Sequence, residues 1–253
     1  MSNAYLPDAR LTSRLTGDGP AVGCHWLNLG APVLAELAAE AGAESIVIDL
    51  QHGRWGREAL ENAIAAIAGR APVLIRTADA SDFAIGSSLD AGAHGVIVPM
   101  INSAAACADV VAAAHYPPAG RRSGGGARPG LDFAAYRAAM SANLLVSVMI
   151  ETTQAVEACE AIAATPGLGM VFVGPNDLSL SLGAGPGSPV FDGALQRVLA
   201  AGKAAGVPVG IYTSGAEQGR TRAAEGFRFV VVASDTALNR AEAKAQWARF
   251  HAA

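Results

Sequence analysis

The chain is expected to fold as one α/β domain, a (β/α)8 barrel of the TIM type. Three observations predict this. Eight short apolar runs alternate with longer Ala-rich stretches along 253 residues, and eight is the number of strands at which such a parallel sheet closes. The runs are almost continuously apolar, with no in–out alternation, as in strands covered on both faces. Several helix-length segments also end alike, in "AEAGAES", "LDAGAHG", "KAAGVPV" and "AAEGFRF". In each, a glycine (Gly42, Gly92, Gly206 or Gly226) stands where a left-handed residue would close a helix and feed the next strand. An open, doubly wound sheet is the competing architecture, and the strand count favours the barrel.

Taken in order, the strands are expected at 20–27, 45–49, 72–76, 95–98, 144–150, 170–174, 208–212 and 229–233. Helices are expected at 31–41, 56–69, 82–91, 103–114, 153–164, 190–205, 215–225 and 237–251. The longest irregular stretch is "HYPPAGRRSGGGARPGLDF", 115–133, between the fourth strand and the fifth. It is too long for a plain connector and is a candidate active-site loop. No linker interrupts the pattern, so residues 1–253 read as one domain.

Composition narrows the function. Hydrophobic residues make up 51% of the chain, enough for a sizeable core. With a net charge of -4 and no basic stripe, nucleic acid is not an expected partner. No apolar run approaches ~18 residues, so no membrane span is expected. "MSNAYLPDARLTSRL" lacks the apolar core of a secretory signal. Cys24, Cys107 and Cys159 are odd in number and far apart, which suits free thiols in a reducing cytoplasm rather than disulfides or zinc.

In a barrel, the C-terminal strand ends form the rim that bears the site. Asp49, Gln51 and His52 follow the second strand, in "IDLQHG". Arg76 ends the third strand, Glu151 follows the fifth in "VMIETT", and Asp177 follows the sixth in "VFVGPNDLSLSLG". Glu151 and Asp177 come from neighbouring strands. Two carboxylates in one site repel unless a cation intervenes, and hard oxygen ligands without cysteine suit Mg2+ or Mn2+. Either acid alone also reads as an acid at a helix N-terminus.

His52 is either a packed loop histidine or a general base, with Asp49 placed to orient its ring. Arg76, at the tail of "PVLIR", is expected to be buried and to need an anionic partner, for which a substrate carboxylate or enolate would serve. The backbone N–H groups of Asn176 and Asp177 are candidates for binding a carboxylate. Trp26 and Gly174, at the ends of the first and sixth runs, are assigned with them to substrate binding. "GGGARPG" lacks the Lys-Ser/Thr of a phosphate loop. Its neighbouring Arg121, Arg122 and Arg128 either meet an acidic substrate or are simply solvated. His25, His94, His115 and His251 fit no spacing pattern. The chain has two lysines, Lys203 and Lys244, neither at a strand end. That disfavours a Schiff-base mechanism, which needs a desolvated lysine in the site.

On "IDLQHG", "LDAGAHGVIVPM", "VMIETTQAVEACEAI" and "VFVGPNDLSLSLG", the chain resembles the HpcH/HpaI family of class II 2-oxo-acid aldolases, in register from about residue 20 to 240. The resemblance implies a barrel whose last helix is swapped between partners in a homohexamer built from dimers. It implies Mg2+, Mn2+ or Co2+ held by Glu151 and Asp177 and chelated by pyruvate or hydroxypyruvate, with an aldehyde as the second reactant. Arg76 matches the family's catalytic arginine, Asp49 and His52 its Asp-x-x-His pair, and Asp90 an acid near the site at the subunit contact. Gln51 replaces the Glu found in many members, which bears on the electrophile. Two other readings are a citrate-lyase-like or malyl-CoA-like lyase acting on a thioester, and a barrel without catalysis.

Overall fold

The computed structural model describes residues 6–7, 9–126 and 132–252. Eight parallel strands close in sequence order, β1 next to β2 and so on around to β8. They are β1 (Val22–Leu27), β2 (Ser45–Asp49), β3 (Val73–Arg76), β4 (Gly95–Val98), β5 (Leu145–Ile150), β6 (Met170–Val173), β7 (Val209–Ile211) and β8 (Phe229–Ser234). The expected barrel is therefore present, and the open sheet is excluded. Each expected strand is found within two residues of its expected ends.

The continuous apolar runs have a simple cause. Side chains alternate across a strand, and here both sides are covered. One set faces the barrel interior: Cys24, Trp26, Val47, Leu74, Ile97, Met149, Phe172 and Phe229 form a single inner cluster. The alternate set, such as Ile46, Ile48, Ile75, Val96 and Val148, packs outward against the helices.

Among the described residues twelve helices accompany the sheet: α1 (Ala9–Thr16), α2 (Pro32–Glu40), α3 (Arg57–Ile67), α4 (Asp82–Asp90), α5 (Ala104–Ala114), α6 (Phe133–Asn143), α7 (Thr153–Glu157), α8 (Cys159–Ala163), α9 (Pro175–Leu182), α10 (Pro189–Ala205), α11 (Ala216–Glu225) and α12 (Asp235–His251). The four glycines expected to close helices have φ between 68° and 114°. The helix expected over 153–164 is broken at Ala158. None of the described helices is long and apolar enough to cross a membrane.

Three helices escape the sequence pattern. The short α9 follows β6 directly, and α6 precedes β5. The third, α1, offers only Leu11 and Leu15 as buried anchors, and both join the inner cluster beside Val22 and Phe229. It plugs the barrel at the N-terminal strand ends. Arg228 secures the plug, donating to the carbonyl oxygens of Leu15, Gly19, Arg14 and Gly17 at 2.7–3.2 Å. A guanidinium is well suited to gather the free carbonyls at a helix C-terminus.

The last helix behaves differently from the others. Asp235 is its only buried residue, while Leu238, Trp247 and Phe250 are exposed at 53%, 65% and 76%. Alongside, a groove of about 640 Å3 runs between α2 and α11, floored by Val230, Val232 and Ala233 of β8.

Replacing Arg228 with alanine frees four carbonyls at the plug and leaves the far rim untouched. Arg228→Ala is expected to cost about 2 kcal/mol, read as a lower urea midpoint. A midpoint equal to the parent's would show that the plug does not depend on this side chain.

Candidate active site

The alternation that fills the barrel interior also selects what stands at its mouth. The inward positions continue upward to Trp26, Asp49, Arg76, Glu151, Gly174 and Tyr212, so the strands that bury Val47, Leu74, Met149 and Phe172 deliver polar groups one step further on. There they line a cavity of about 290 Å3, joined by His52, Asn176 and Asp177. The rim residues expected from the sequence thus come together. Asn28, Met149, Phe172, Pro175 and Tyr212 also line the cavity and were not anticipated. Tyr212 alone had a signal, as the last residue of the seventh apolar run. A wider cavity of about 740 Å3 adjoins, sharing Pro175, Asn176 and Tyr212 but none of Asp49, Arg76, Glu151 and Asp177.

Asp49 and Arg76 stand opposite each other in the β2–β3 register. Arg76 donates side-on, Nε to Asp49 Oδ1 at 2.8 Å and Nη2 to Oδ2 at 2.5 Å. Asp49 is fully buried and Arg76 nearly so. Trp26 Nε1 donates to Oδ2 at 3.3 Å, and the backbone N–H groups of Gln51 and His52 donate to Oδ1. Burial alone would raise the Asp49 pKa. Arg76, through hydrogen bonds and charge, together with the His52 N–H and Trp26, outweighs it and holds the carboxyl below its usual value. The Arg76 guanidinium also lies 5.1 Å from the centre of the Trp26 ring.

Two expectations are corrected here. The anionic partner of Arg76 is the protein's own Asp49; a substrate would meet the remaining edge of the guanidinium, chiefly Nη1, which donates to no described residue. Asp49 does not orient the imidazole of His52. Its oxygens are taken by Arg76, Trp26 and two backbone N–H groups, and it touches His52 only through the main chain. The exposed ring of His52 projects at the tip of the β2 turn, on the cavity wall.

Glu151 presents the opposite case. It is 1% exposed. Oε1 accepts from the Met100 N–H at 2.7 Å, but Oε2 is buried without a partner. Burial pushes its pKa up, the Met100 hydrogen bond opposes this, the Asp177 charge adds to it, and Arg76 opposes it. Gly174 leaves room for that oxygen, since a Cβ there would sit 2.5 Å from Oε2. Asp177 lies in the first turn of α9, where an acid complements the helix dipole. Its carboxylate takes no hydrogen bond or ion pair among the described residues. The N–H groups of Asn176 and Asp177, in that same open turn, have no partner there either.

A buried orphan oxygen, a second unpaired carboxylate close enough to perturb it, and a glycine that keeps the space clear fit a hard divalent cation. Among the described residues no three His, Cys, Asp or Glu converge on one point. Such an ion would find two carboxylates here, Glu151 and Asp177, leaving about four octahedral positions to solvent and substrate.

The described part of the candidate loop does not line this cavity. Residues 115–126 lie on the outer face of α4 and α5, tied by Arg121 N to Ala112 O and Arg122 N to His115 O. Arg121 pairs with Asp82 and Asp109. Arg122 is buried, paired with Asp90 at 2.7 Å and with the Tyr136 hydroxyl. Neither arginine lines this cavity, although Arg122 Nε and Nη1 are buried without a partner, and Arg128 lies outside the described residues. Asp90 ends α4 in this ion pair and, within one chain, does not join the rim. Among the remaining histidines, His94 is structural, its Nδ1 accepting from Val73 N.

A family model described as HpcH/HpaI aldolase/citrate lyase matches residues 23–241. A hydroxypyruvate/pyruvate aldolase of Rhizorhabdus wittichii is 36% identical, over 87% of this chain and 90% of its own. A 4-hydroxy-2-oxovalerate aldolase of Rhodococcus jostii is also 36% identical, over 89% and 90%. The crystal structure of an HpcH/HpaI aldolase/citrate lyase family protein from Burkholderia cenocepacia superposes with a TM-score of 0.88 at 33% identity, covering 96% of this chain and all of that one (100%).

The raised pKa of Glu151 has a consequence for stability. Between its unfolded and folded values the native chain binds a proton that the unfolded chain lacks, so stability falls as pH rises through that window. In chelator, Glu151→Gln is expected to melt higher than the parent at neutral pH and to lose this part of the decline. Equal melting curves from the acid range to neutral would refute the assigned burial cost.

Proposed function

The chain belongs to the HpcH/HpaI aldolase/citrate lyase family, and from that premise we propose that it is a metal-dependent aldolase joining pyruvate or hydroxypyruvate to an aldehyde, and cleaving the product. The orphaned Glu151 Oε2 beside Asp177 is the observation that carries this reading. Those two carboxylates would hold Mg2+, Mn2+ or Co2+. When bound, the ion acts as a Lewis acid that acidifies the carbon next to the keto group.

The protein's own groups do the rest. The free N–H groups of Asn176 and Asp177 receive the 2-oxo acid's carboxylate at the start of α9. Arg76 offers Nη1 to the oxygen on which negative charge develops, and Asp49 keeps that guanidinium from turning away. The imidazole of His52 moves the proton to and from the aldehyde oxygen. Trp26, Phe172 and Tyr212 line the cavity with aromatic surface and limit water at the reacting carbon. The cavity suits a three-carbon acid, and the adjoining space beyond Tyr212 is open to the arm of the aldehyde. The aldolase reading is preferred to a thioester lyase because the two relatives at 36% identity over 87% and 89% of this chain are named as hydroxypyruvate/pyruvate and 4-hydroxy-2-oxovalerate aldolases.

We further infer an assembly. The start of α12 borders the groove over β8 through Leu238, while Trp247 and Phe250 further along the helix stay exposed; an apolar end left uncovered within one chain fits exchange of α12 with a second copy, in a cytoplasmic homohexamer of dimers. Removing residues 236–253 is expected to expose the groove and abolish the oligomer. Sedimentation at an unchanged mass would refute the exchange.

Turnover is tested with pyruvate and hydroxypyruvate against a panel of aldehydes, with and without EDTA. EDTA is expected to abolish activity, as are Glu151→Ala and Asp177→Ala. Arg76→Ala is expected to lower kcat by about 10²–10³, and His52→Ala by about 10²–10⁴. Full activity in either acid variant would defeat the assignment.

A further inference from the structure

Two non-glycine residues among those described adopt a left-handed backbone, Ala68 at φ 51° and Met100 at φ 60°. Ala68 closes α3, where a left-handed cap has an ordinary reason. Met100 closes no helix. It lies two residues beyond β4, at the barrel mouth, with a side chain 49% exposed, so packing does not impose the conformation. For an L-residue this region costs about 1–2 kcal/mol, and it persists only where the surroundings demand it.

What the turn accomplishes is the direction of one N–H. Met100 N points at Glu151 Oε1, 2.7 Å away. The two segments are stapled one step further along by Thr152 Oγ1 and Asn102 Oδ1 at 2.5 Å. Thr152 also caps α7 through Ala155 N, which fixes the segment that starts at Glu151. On its other side the carboxylate is bounded by Gly174. The result is an asymmetric carboxylate, with one oxygen tied to the backbone and the other buried and unpartnered.

We propose that Met100 is a positioning residue for the divalent ion: its left-handed backbone holds Glu151 Oε1 through an N–H and so presents Oε2 as the ligand atom. This rests on the reading of Glu151 and Asp177 as the ion's ligands. The chemistry is that of an outer hydrogen bond that fixes the orientation of a ligating group, whose loss costs about 10–100-fold in affinity. The methionine side chain takes no part; what matters is the backbone conformation and its N–H.

The test is Mn2+ binding to the metal-free full chain, followed by calorimetry. Met100→Gly keeps the N–H and tolerates the turn better than methionine, Met100→Leu keeps the N–H and, like methionine, is unbranched at Cβ, and both are expected to bind Mn2+ within about threefold of the parent. Met100→Val places a β-branched residue where it is strongly disfavoured, which drives the peptide away from Glu151; a loss of about tenfold or more is expected. Should that variant not fold, the α-hydroxy analogue of methionine introduced at position 100 replaces the N–H with an ester oxygen and leaves the side chain intact, with the same loss expected. Parent-like affinity in the Met100→Val variant or the ester, or an equal loss in Met100→Gly, overturns the proposal. Glu151→Gln separates the two levels: if it binds Mn2+ as the parent does, the ligand reading fails and the role of Met100 falls with it.

Discussion

Asp49 and Arg76 are neighbours by register before they are partners by charge. Both occupy inward positions at the last paired step of β2 and β3, so closing the barrel forces a carboxylate and a guanidinium together where water is scarce. A buried ion pair is tolerable only when its remaining hydrogen-bonding capacity is met. Here Trp26 and two backbone N–H groups meet it on the Asp49 side. The arrangement fixes the arginine in one orientation, with a single edge toward the cavity. A cation fixed in this way is already directed when charge develops on a substrate, with no reorganisation at that moment.

Because those two charges cancel, the mouth is left with the acids Glu151 and Asp177. The fold has not compensated them. It has buried one, left its second oxygen without a donor, and placed the other on the first turn of a helix nearby. A core selected for stability alone would have given Oε2 a donor. The absence of one at this spot, in a barrel whose opposite end satisfies four stray carbonyls with a single arginine, divides the molecule by task. The N-terminal strand ends are closed and hydrogen-bonded, and the C-terminal ends keep an unmet electrostatic demand. Such unmet demand is a usual signature of a site tuned for function at the expense of stability.

The barrel was legible because its signals are local. Apolar runs, cap glycines and strand count each act within a few residues, and the rim residues could be read as whatever followed each run. What the sequence withheld depends on which atoms meet across the fold. That Arg76 is paired with Asp49 rather than waiting for substrate is a matter of cross-strand register. That Arg121 and Arg122 serve α4 and α5 rather than the rim depends on how 115–126 folds back along the helices. The plug helix α1 has too few apolar positions for its period to show, and α12 reads as any other closing helix until its apolar face is found uncovered. Tyr212 was visible only as the end of a strand, since its role comes from the inward direction that the pleat gives it.

Trp26 shows how far these constraints are shared. Its indole N–H donates to Asp49, its face lies against the Arg76 guanidinium, and its ring packs edge-on with Tyr212 at 5.3 Å and tilted against Phe172 at 5.6 Å. One side chain therefore joins the charged half of the mouth to its aromatic wall. Phenylalanine would keep the wall and lose the donor to a buried carboxylate; a small polar residue would lose the wall and admit water beside the ion pair. Only a large ring with a single N–H satisfies both sides, so at this position the shape of the cavity and the direction of its cation cannot be adjusted independently.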